Sequence, residues 1–175
     1  MATNPVGGWN FTVSLLDSAS IAGAVVSAIS APVLAGFSEC SGLETSMTVE
    51  EYREGGRNDT VLRFPGRITW SPIRLRRGVV ATPDLWRWYE AFLRGKGKRR
   101  DGVITLLDDK GGAVRVWRFH RGIPSRWTGP ALHASQNAVA IEELEITHEG
   151  IRPEGTGLVS EIAGAVTSIA NAFGG

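Results

Sequence analysis

Short runs of alternating apolar and polar residues restrict this chain to a small set of folds. In residues 9–16, Phe11, Val13 and Leu15 alternate with polar residues, and the same period recurs in residues 43–50. Successive side chains of a β-strand point to opposite faces, so this period of two is typical of half-buried strands. The chain is therefore predicted to form a mainly β domain.

One segment, TPDLWRWYEAFLRGKG at residues 82–97, has helical spacing instead. Thr82 is a candidate cap, Pro83 suits the first helical position, and Asp84 suits the positive end of the helix dipole. Gly95 is expected to end the helix. Its apolar stripe, predicted to pack on a sheet, consists of Leu85, Trp88, Tyr89 and Phe92.

The second half of the chain contains a predicted β-hairpin and a long final strand. The hairpin joins DGVITLLDD to AVRVWRFHRG through a DDKGG turn. Before it, the apolar phase slips around Pro72, which predicts a bulge or bend there. In AVAIEELEITHEG, residues 138–150, apolar residues fall on both faces, which predicts that something else covers part of this surface.

Two weakly apolar stretches flank this pattern. The predicted domain spans residues 1–152 with an insertion at about 17–32, and residues 153–175 form a C-terminal extension. The uncharged run 18–38 is rich in Ala, Ser and Gly, so a membrane span is disfavoured. The extension predicts a possible amphipathic helix, ordered by contact, with apolar residues at Leu158, Ile162, Val166, Ile169 and Phe173.

The composition limits the classes of partner and site. Nineteen basic and eighteen acidic residues nearly cancel, so overall charge would not attract nucleic acid or an anionic membrane. Cys40 is the single cysteine, which excludes an internal disulfide and a multi-Cys zinc site. The N-terminal sequence does not resemble a signal peptide, so we expect synthesis in the cytosol without one.

Side chains that could act in catalysis or bind a cofactor do not form a recognisable motif, and we expect no cofactor and no metal. The sequence contains no phosphate-binding glycine motif. Glu143 and Glu145 share a strand face, so an acid–base pair with a histidine is one alternative, although a solvated or interfacial face is the simpler interpretation. The candidate histidines are widely spaced, at His120, His133 and His148.

A basic cluster gives the second alternative. RGKGKRR, Arg94 to Arg100, could contact phosphates together with Trp86 or Trp88, as in a monomeric nucleic-acid-binding module. The cluster follows the predicted helix, where positive charge also suits the negative end of the dipole.

An ordered set of short motifs resembles one known family. The motifs include GFSECSGLE, VEEYREGG, FPG, LRRG, LWRWY, RRDGVITLLDD and VAIEELEITHEG, and they cover about residues 9 to 151. The set is similar to the tail-tube proteins of contractile phages and contractile injection systems.

The resemblance implies an antiparallel β-barrel or sandwich with one flanking helix. It implies a structural subunit without enzymatic activity, which assembles into homo-hexameric rings stacked as a hollow inner tube for cargo or DNA. Its partners would be further copies of itself, a sheath protein, baseplate or spike proteins and tube-capping proteins. It would become part of a phage tail or a phage tail-like particle.

The resemblance also assigns the candidate contact residues. A polar loop would reach the neighbouring ring or subunit, and it comprises Glu50, Glu51, Tyr52, Arg53, Glu54, Gly55, Gly56, Arg57, Asn58 and Asp59. A strand at the subunit interface would include Ile141, Glu143, Leu144, Glu145 and Ile146. The insertion and the extension leave open a specialised role, in which the chain is the initiator ring that joins baseplate to tube.

Overall fold

The computed structural model describes residues 7–17, 36–53, 55, 60–135 and 138–154. These residues form nine strands and one helix. The strands are β1 (Phe11–Asp17), β2 (Phe37–Ser41), β3 (Thr45–Tyr52), β4 (Leu62–Trp70), β5 (Ile73–Gly78), β6 (Arg100–Leu107), β7 (Ala113–Thr128), β8 (Ile141–Thr147) and β9 (Ile151–Glu154), and the helix α1 is Asp84–Leu93.

Seven strands form one antiparallel sheet, and β3 and β4 form a separate pair. The order in the larger sheet is β1-β6-β7-β8-β5-β2, with β9 also paired to β7. The long strand β7 belongs to both halves of this sheet, since its first part pairs with β6 and β9 and its last part pairs with β8. The sheet therefore folds over itself into two layers joined by β7.

The bend in β7 has a local structural cause at Arg121. This residue has a φ of 52°, a left-handed conformation that is uncommon outside glycine. Its N–H donates to Asp101 Oδ1 at 2.9 Å, beside a register shift between β6 and β7. Burial raises the pKa of Asp101, but the hydrogen bonds from Arg121 and His120 and the nearby positive charge outweigh it, so this pKa lies below its usual value.

The core lies between the two layers and under the helix. Its buried members are Val13, Ile104, Phe119 and Ile151 from the first layer, Ile73, Leu75, Leu144 and Ile146 from the second, and Leu85 and Trp88 from α1. Burying an aliphatic or aromatic side chain of this size contributes about 1.5–3 kcal/mol. The predicted class, a mainly antiparallel β domain with one flanking helix, is confirmed.

The helix forms where the sequence predicts it, with two corrections at its start. Pro83 is the cap residue and not the first helical residue, and no side chain makes a capping hydrogen bond there, so the expected capping role of Thr82 is wrong. Gly95 follows the helix with a φ of 70°. The Trp88 ring is buried, and its Nε1 donates to the Lys98 carbonyl at 3.0 Å, which holds the segment after the helix against it.

The predicted hairpin is confirmed as β6 and β7. Asp108 stabilises its turn, because its Oδ1 accepts hydrogen bonds from the N–H groups of Lys110 and Gly112 at 2.9 and 2.7 Å.

Within the described ranges, no helix combines the length and the hydropathy that a membrane crossing needs. The insertion at 17–32, apart from residue 17, and the predicted helix of the extension lie outside the described residues.

Candidate self-association site: a projecting β-arm

The separate pair β3–β4 continues a ribbon that starts in the body of the domain. β2 pairs with β5, and β3 pairs with β4, in one antiparallel progression in which Ser41 faces Arg74 and Thr45 faces Trp70. Between these pairs the ribbon turns through a corner, residues 42–44 and 71–72, where the Ser71 N–H donates to the Glu44 carbonyl at 3.2 Å. We call β3 and β4 the arm. The predicted irregularity at Pro72 is part of this corner.

Gly42 is required at the corner for two reasons. Its φ is 87°, and a Cβ atom added to it would lie 2.0 Å from the carbonyl oxygen of Pro72. The two backbones can approach this closely only because glycine has no side chain.

His148 links the corner to the body. Its Nε2 lies 3.0 Å from the Ser71 carbonyl oxygen, and the Gly150 N–H donates to its Nδ1 at 3.2 Å. This geometry suits a neutral imidazole that carries its proton on Nε2. Burial lowers the pKa of His148 in spite of these two hydrogen bonds. Its ring also lies 6.1 Å from the ring of Trp70, so the arm is attached at a packed and hydrogen-bonded joint.

The arm exposes large apolar side chains. All eight residues of β3 are exposed. Between 50% and 57% of the surface is accessible in each of Met47, Val49, Tyr52, Phe64 and Ile68. An isolated two-stranded hairpin is at best marginally stable in water, and a contiguous exposed apolar surface marks an interaction site.

The apolar residues change face along the arm. A register shift interrupts the arm between Met47 and Val49. Near the corner, one face carries the cross-strand pairs Met47–Ile68 and Val49–Pro65, and near the tip the opposite face carries Tyr52–Leu62 and Phe64 beside Glu50. Both faces of the arm therefore present apolar surface to solvent.

The predicted contact loop is in part strand. Glu50, Glu51 and Tyr52 are the last residues of β3, and Arg53 and Gly55 follow them. Glu51 pairs with Arg63 of β4 at 3.3 Å, but both side chains are at least half exposed, so the pair contributes about 0–1 kcal/mol. Glu54 and residues 56–59 lie outside the described residues. The charged residues were expected to make the contact, and the exposed apolar side chains of the arm were not predicted. The apolar residues Met47 and Val49, which precede the polar stretch in β3, were the available sequence signal.

The predicted interface strand, β8, lies inside the sheet between β5 and β7. Leu144 and Ile146 have no accessible surface and belong to the core, so their side chains cannot contact a neighbour. Ile141, Glu143 and Glu145 lie on the opposite face, which is available for contacts.

That outer face of β8 carries a ladder of ion pairs. Arg74 of β5 lies 3.4 Å from Glu145, and Arg76 lies 3.5 Å from Glu143 and 3.0 Å from Glu39 of β2. Because acids and bases alternate across the sheet, this face is polar and close to neutral. Both glutamates are paired to arginines, which does not support the acid–base alternative.

The inner face of the same strands holds a buried ion pair. Arg77 Nε lies 2.7 Å from Glu142 Oε1, and the two side chains are 1% and 8% exposed. The Trp127 indole N–H donates to Glu142 Oε2 at 3.1 Å. Such a pair gains net stability only when its geometry is good and its remaining polar atoms are hydrogen-bonded. Both carboxylate oxygens of Glu142 have a partner, whereas Arg77 Nη2 is buried without one.

The residues of the nucleic-acid alternative are used within the domain. Trp88 is buried, Arg100 lies over its ring at 5.3 Å, and Trp86 packs edge-on against Trp127 at 4.7 Å. Arg94 pairs with Glu90 at 2.8 Å, and Arg99 pairs with Glu149. The two tryptophans are therefore packing residues and do not form a stacking surface for bases.

Solved structures identify the class of protein. A chain in the cryo-EM structure of the anti-feeding prophage (AFP) baseplate has a TM-score of 0.73 and 27% identity, over 89% of this chain and 98% of that chain. Two chains in structures of the extracellular contractile injection system PVC have 24% identity. One, in the extended sheath-tube complex, has a TM-score of 0.71 over 87% and 93% of the two chains. The other, in the sheath/tube terminator, has a TM-score of 0.73 over 89% and 100%. The fold is that of tail-tube proteins of contractile injection systems.

The sequence gives the particular family. Residues 8–152 match the model of the T4-like virus tail tube protein gp19, so the chain belongs to that family. The resemblance stated from the short motifs is confirmed. No curated protein sequence gave a significant match.

Proposed function

We propose that this chain is the repeating subunit of the inner tube of a contractile injection system or phage tail, assembling into hexameric rings that stack into a hollow conduit. The observation that carries this proposal is the arm, which projects from the body at a fixed corner and exposes apolar side chains on both faces. A structure of this kind gains stability when a second copy covers it.

The open strand edges support the same proposal. In the described part of the chain, β1 and β2 each pair along one side only, and so do β3 and β4. Exposed edges carry unpaired backbone donors and acceptors and favour pairing with another chain. A ring of identical subunits satisfies these edges when the arm of one copy pairs with the sheet of the next. Such a head-to-tail contact gives a closed ring when the rotation between neighbouring copies is a whole fraction of a turn.

We assign the polar stretch from Glu50 to Asp59 a different role from the apolar arm. Exposed ion pairs contribute little energy, but complementary charges fix the register and orientation of a contact. The stretch would orient the next ring, while the apolar residues of the arm provide most of the affinity. The outer face of β8, with Ile141, Glu143 and Glu145, is the second proposed contact or lumen-facing surface.

The remaining partners follow from the kinds of complex in which the similar chains occur. Those chains come from a baseplate, a sheath-tube complex and a tube-terminating cap. We therefore propose that this protein contacts sheath, baseplate or spike and capping proteins, carries cargo or DNA only within the lumen, and acts without covalent chemistry. In this proposal it is made in the cytoplasm and incorporated into a phage tail or tail-like particle.

A second candidate function is the initiator ring between baseplate and tube. It is supported by the 27% identity to a chain in a baseplate structure. The two functions differ in one respect: a repeating subunit polymerises alone, whereas an initiator forms at most single rings until a baseplate partner is added.

The test uses one substitution on each face of the arm, Met47→Asp and Phe64→Asp, with Leu93→Asp as the control. Leu93 is as exposed as the arm residues, at 64%, but lies at the end of α1. At a dilution at which the wild type is monomeric, the arm variants should keep the wild-type melting curve. At higher concentration they should lose rings in sedimentation and electron microscopy, since a central interface residue contributes about 2 kcal/mol or more. The control should assemble normally. Rings at wild-type yield in both arm variants would refute the role of the arm.

A further inference from the structure

A cleft lies between the base of the arm and the body of the domain, and we call it the crook. Its lining includes Thr45 and Trp70 from the arm and Trp117, Ile151 and Pro153 from β7 and β9. Its volume is about 230 Å³. An apolar cavity of about 150 Å³ already accepts a benzene ring, so the crook has room for more than one aliphatic side chain.

The chain itself passes along this cleft as it leaves the domain. Pro153 lies opposite Trp117 in the pairing of β9 with β7, and β9 ends one residue later at Glu154. The family match ends at residue 152, so the 21 residues from 155 to 175 are additional to the tail-tube domain. They begin two residues after Pro153, which lines the crook.

The sequence after β9 is suited to turning back into the crook. Gly155 and Gly157 permit backbone conformations that other residues rarely adopt, and Leu158, Val159 and Ile162 follow immediately. Four residues span up to about 14 Å, so the chain that leaves β9 at Glu154 is long enough for residue 158 to lie within reach of the cleft. Residues 158–175 contain one charged side chain, Glu161, and their apolar residues lose solvent contact on packing.

We propose that Leu158, Val159 and Ile162 of the same chain pack into the crook and brace the arm against the body. His148 holds the arm from the corner, and the C-terminal segment supports it from the cleft, on the face that carries Met47 and Ile68. This contact forms within one chain and does not depend on the assembly of rings.

Hydrogen exchange measured by mass spectrometry on the full-length chain, diluted until it is monomeric, tests the proposal. Amides in residues 158–165 should exchange on the order of tenfold more slowly than in an unstructured peptide, as packed segments do. Two substitutions should abolish this protection, Leu158→Asp in the segment and Thr45→Arg at the exposed edge of the crook.

Matched controls separate a specific contact from a general effect. Phe173→Asp changes an apolar residue far along the same segment, and Thr69→Arg places the same charge on the opposite face of the arm, where Thr69 pairs with Ser46. Both should retain the protection, and peptides from β6 and β8 should remain protected in all variants, which shows that the domain is folded.

Three results would overturn the proposal: exchange of residues 158–165 at the unprotected rate in the wild-type monomer, protection that survives both Leu158→Asp and Thr45→Arg, or protection that appears only as protein concentration rises. The last result would assign the crook to a second copy. Because the measurement is made on monomers, failure of the tube proposal would not affect it.

Discussion

Neutralising one member of the buried pair Arg77–Glu142 should destabilise the domain strongly. Glu142→Gln keeps the size of the side chain but removes its charge, so the Arg77 guanidinium is left buried without a counter-ion. Removing one partner of a buried pair costs about 3–5 kcal/mol. For a domain of this size, each 1 kcal/mol lowers the Tm by about 2–4 °C, which gives a decrease of roughly 6–20 °C.

The neighbouring residue is the natural control. Glu143 also pairs with an arginine, Arg76, but on the outer face, where the two side chains are 33% and 43% exposed. Glu143→Gln should therefore cost less than about 1 kcal/mol. The assay is equilibrium unfolding in urea monitored by tryptophan fluorescence, with thermal melting as a check.

A double variant tests the cause of the loss. Arg77→Met combined with Glu142→Leu removes both charges and should recover most of the stability lost in Glu142→Gln, because apolar replacement of a whole buried pair is often neutral or stabilising. If Glu142→Gln is no more destabilising than Glu143→Gln, the inner pair is not a buried charge pair in solution and the reasoning fails.

Three further predictions concern the corner and β2. The free energy of unfolding should fall as pH decreases below about 6.5, because burial lowers the pKa of His148 in the folded state and the same histidine is protonated more readily in the unfolded state. His148→Gln should remove this dependence, and an unchanged slope would contradict it. Gly42→Ala should lower the free energy of unfolding by about 1–3 kcal/mol because of the left-handed backbone alone, and by more because of the contact with Pro72. The control Gly78→Ala, whose Cβ would lie 3.7 Å from Val139, should be tolerated, and equal melting temperatures of the two variants would refute the close approach at Gly42. Burial, with a smaller contribution from Glu39, raises the pKa of Cys40 to about 11. Alkylation of this thiol at pH 8 should therefore be slow in the folded chain and fast in urea, and rapid labelling of the folded chain would contradict this prediction.

The local elements could be predicted from the sequence because their signals are local. The period of two located the strands, and the Asp108 turn follows from its own side chain. The helix was located by its apolar stripe, although Pro83 occupies the cap position that Thr82 was expected to fill. Hydrophobic spacing determines where a helix lies, whereas its first residue depends on the backbone conformation and hydrogen bonding at that end.

The site was harder to predict because it depends on distant pairings. The alternation of Met47 and Val49 predicts a strand with one buried face, but burial depends on what the opposite face meets, and the arm leaves the body at the corner. Glu142 and Glu143 are adjacent and identical in type, yet one is buried against Arg77 and the other is paired outside. No local pattern links His148 to Ser71, since 77 residues separate them.

Electron microscopy of the purified wild-type chain tests whether it assembles by itself into a hollow tube. The protein would be negatively stained at low and high concentration and at two salt concentrations, and class averages would be examined for symmetry. We expect six-fold rings with a central channel that stack into tubes as concentration rises. Dispersed monomers under every condition would contradict self-assembly into a tube, and single rings that never stack would contradict the repeating subunit and favour the initiator ring.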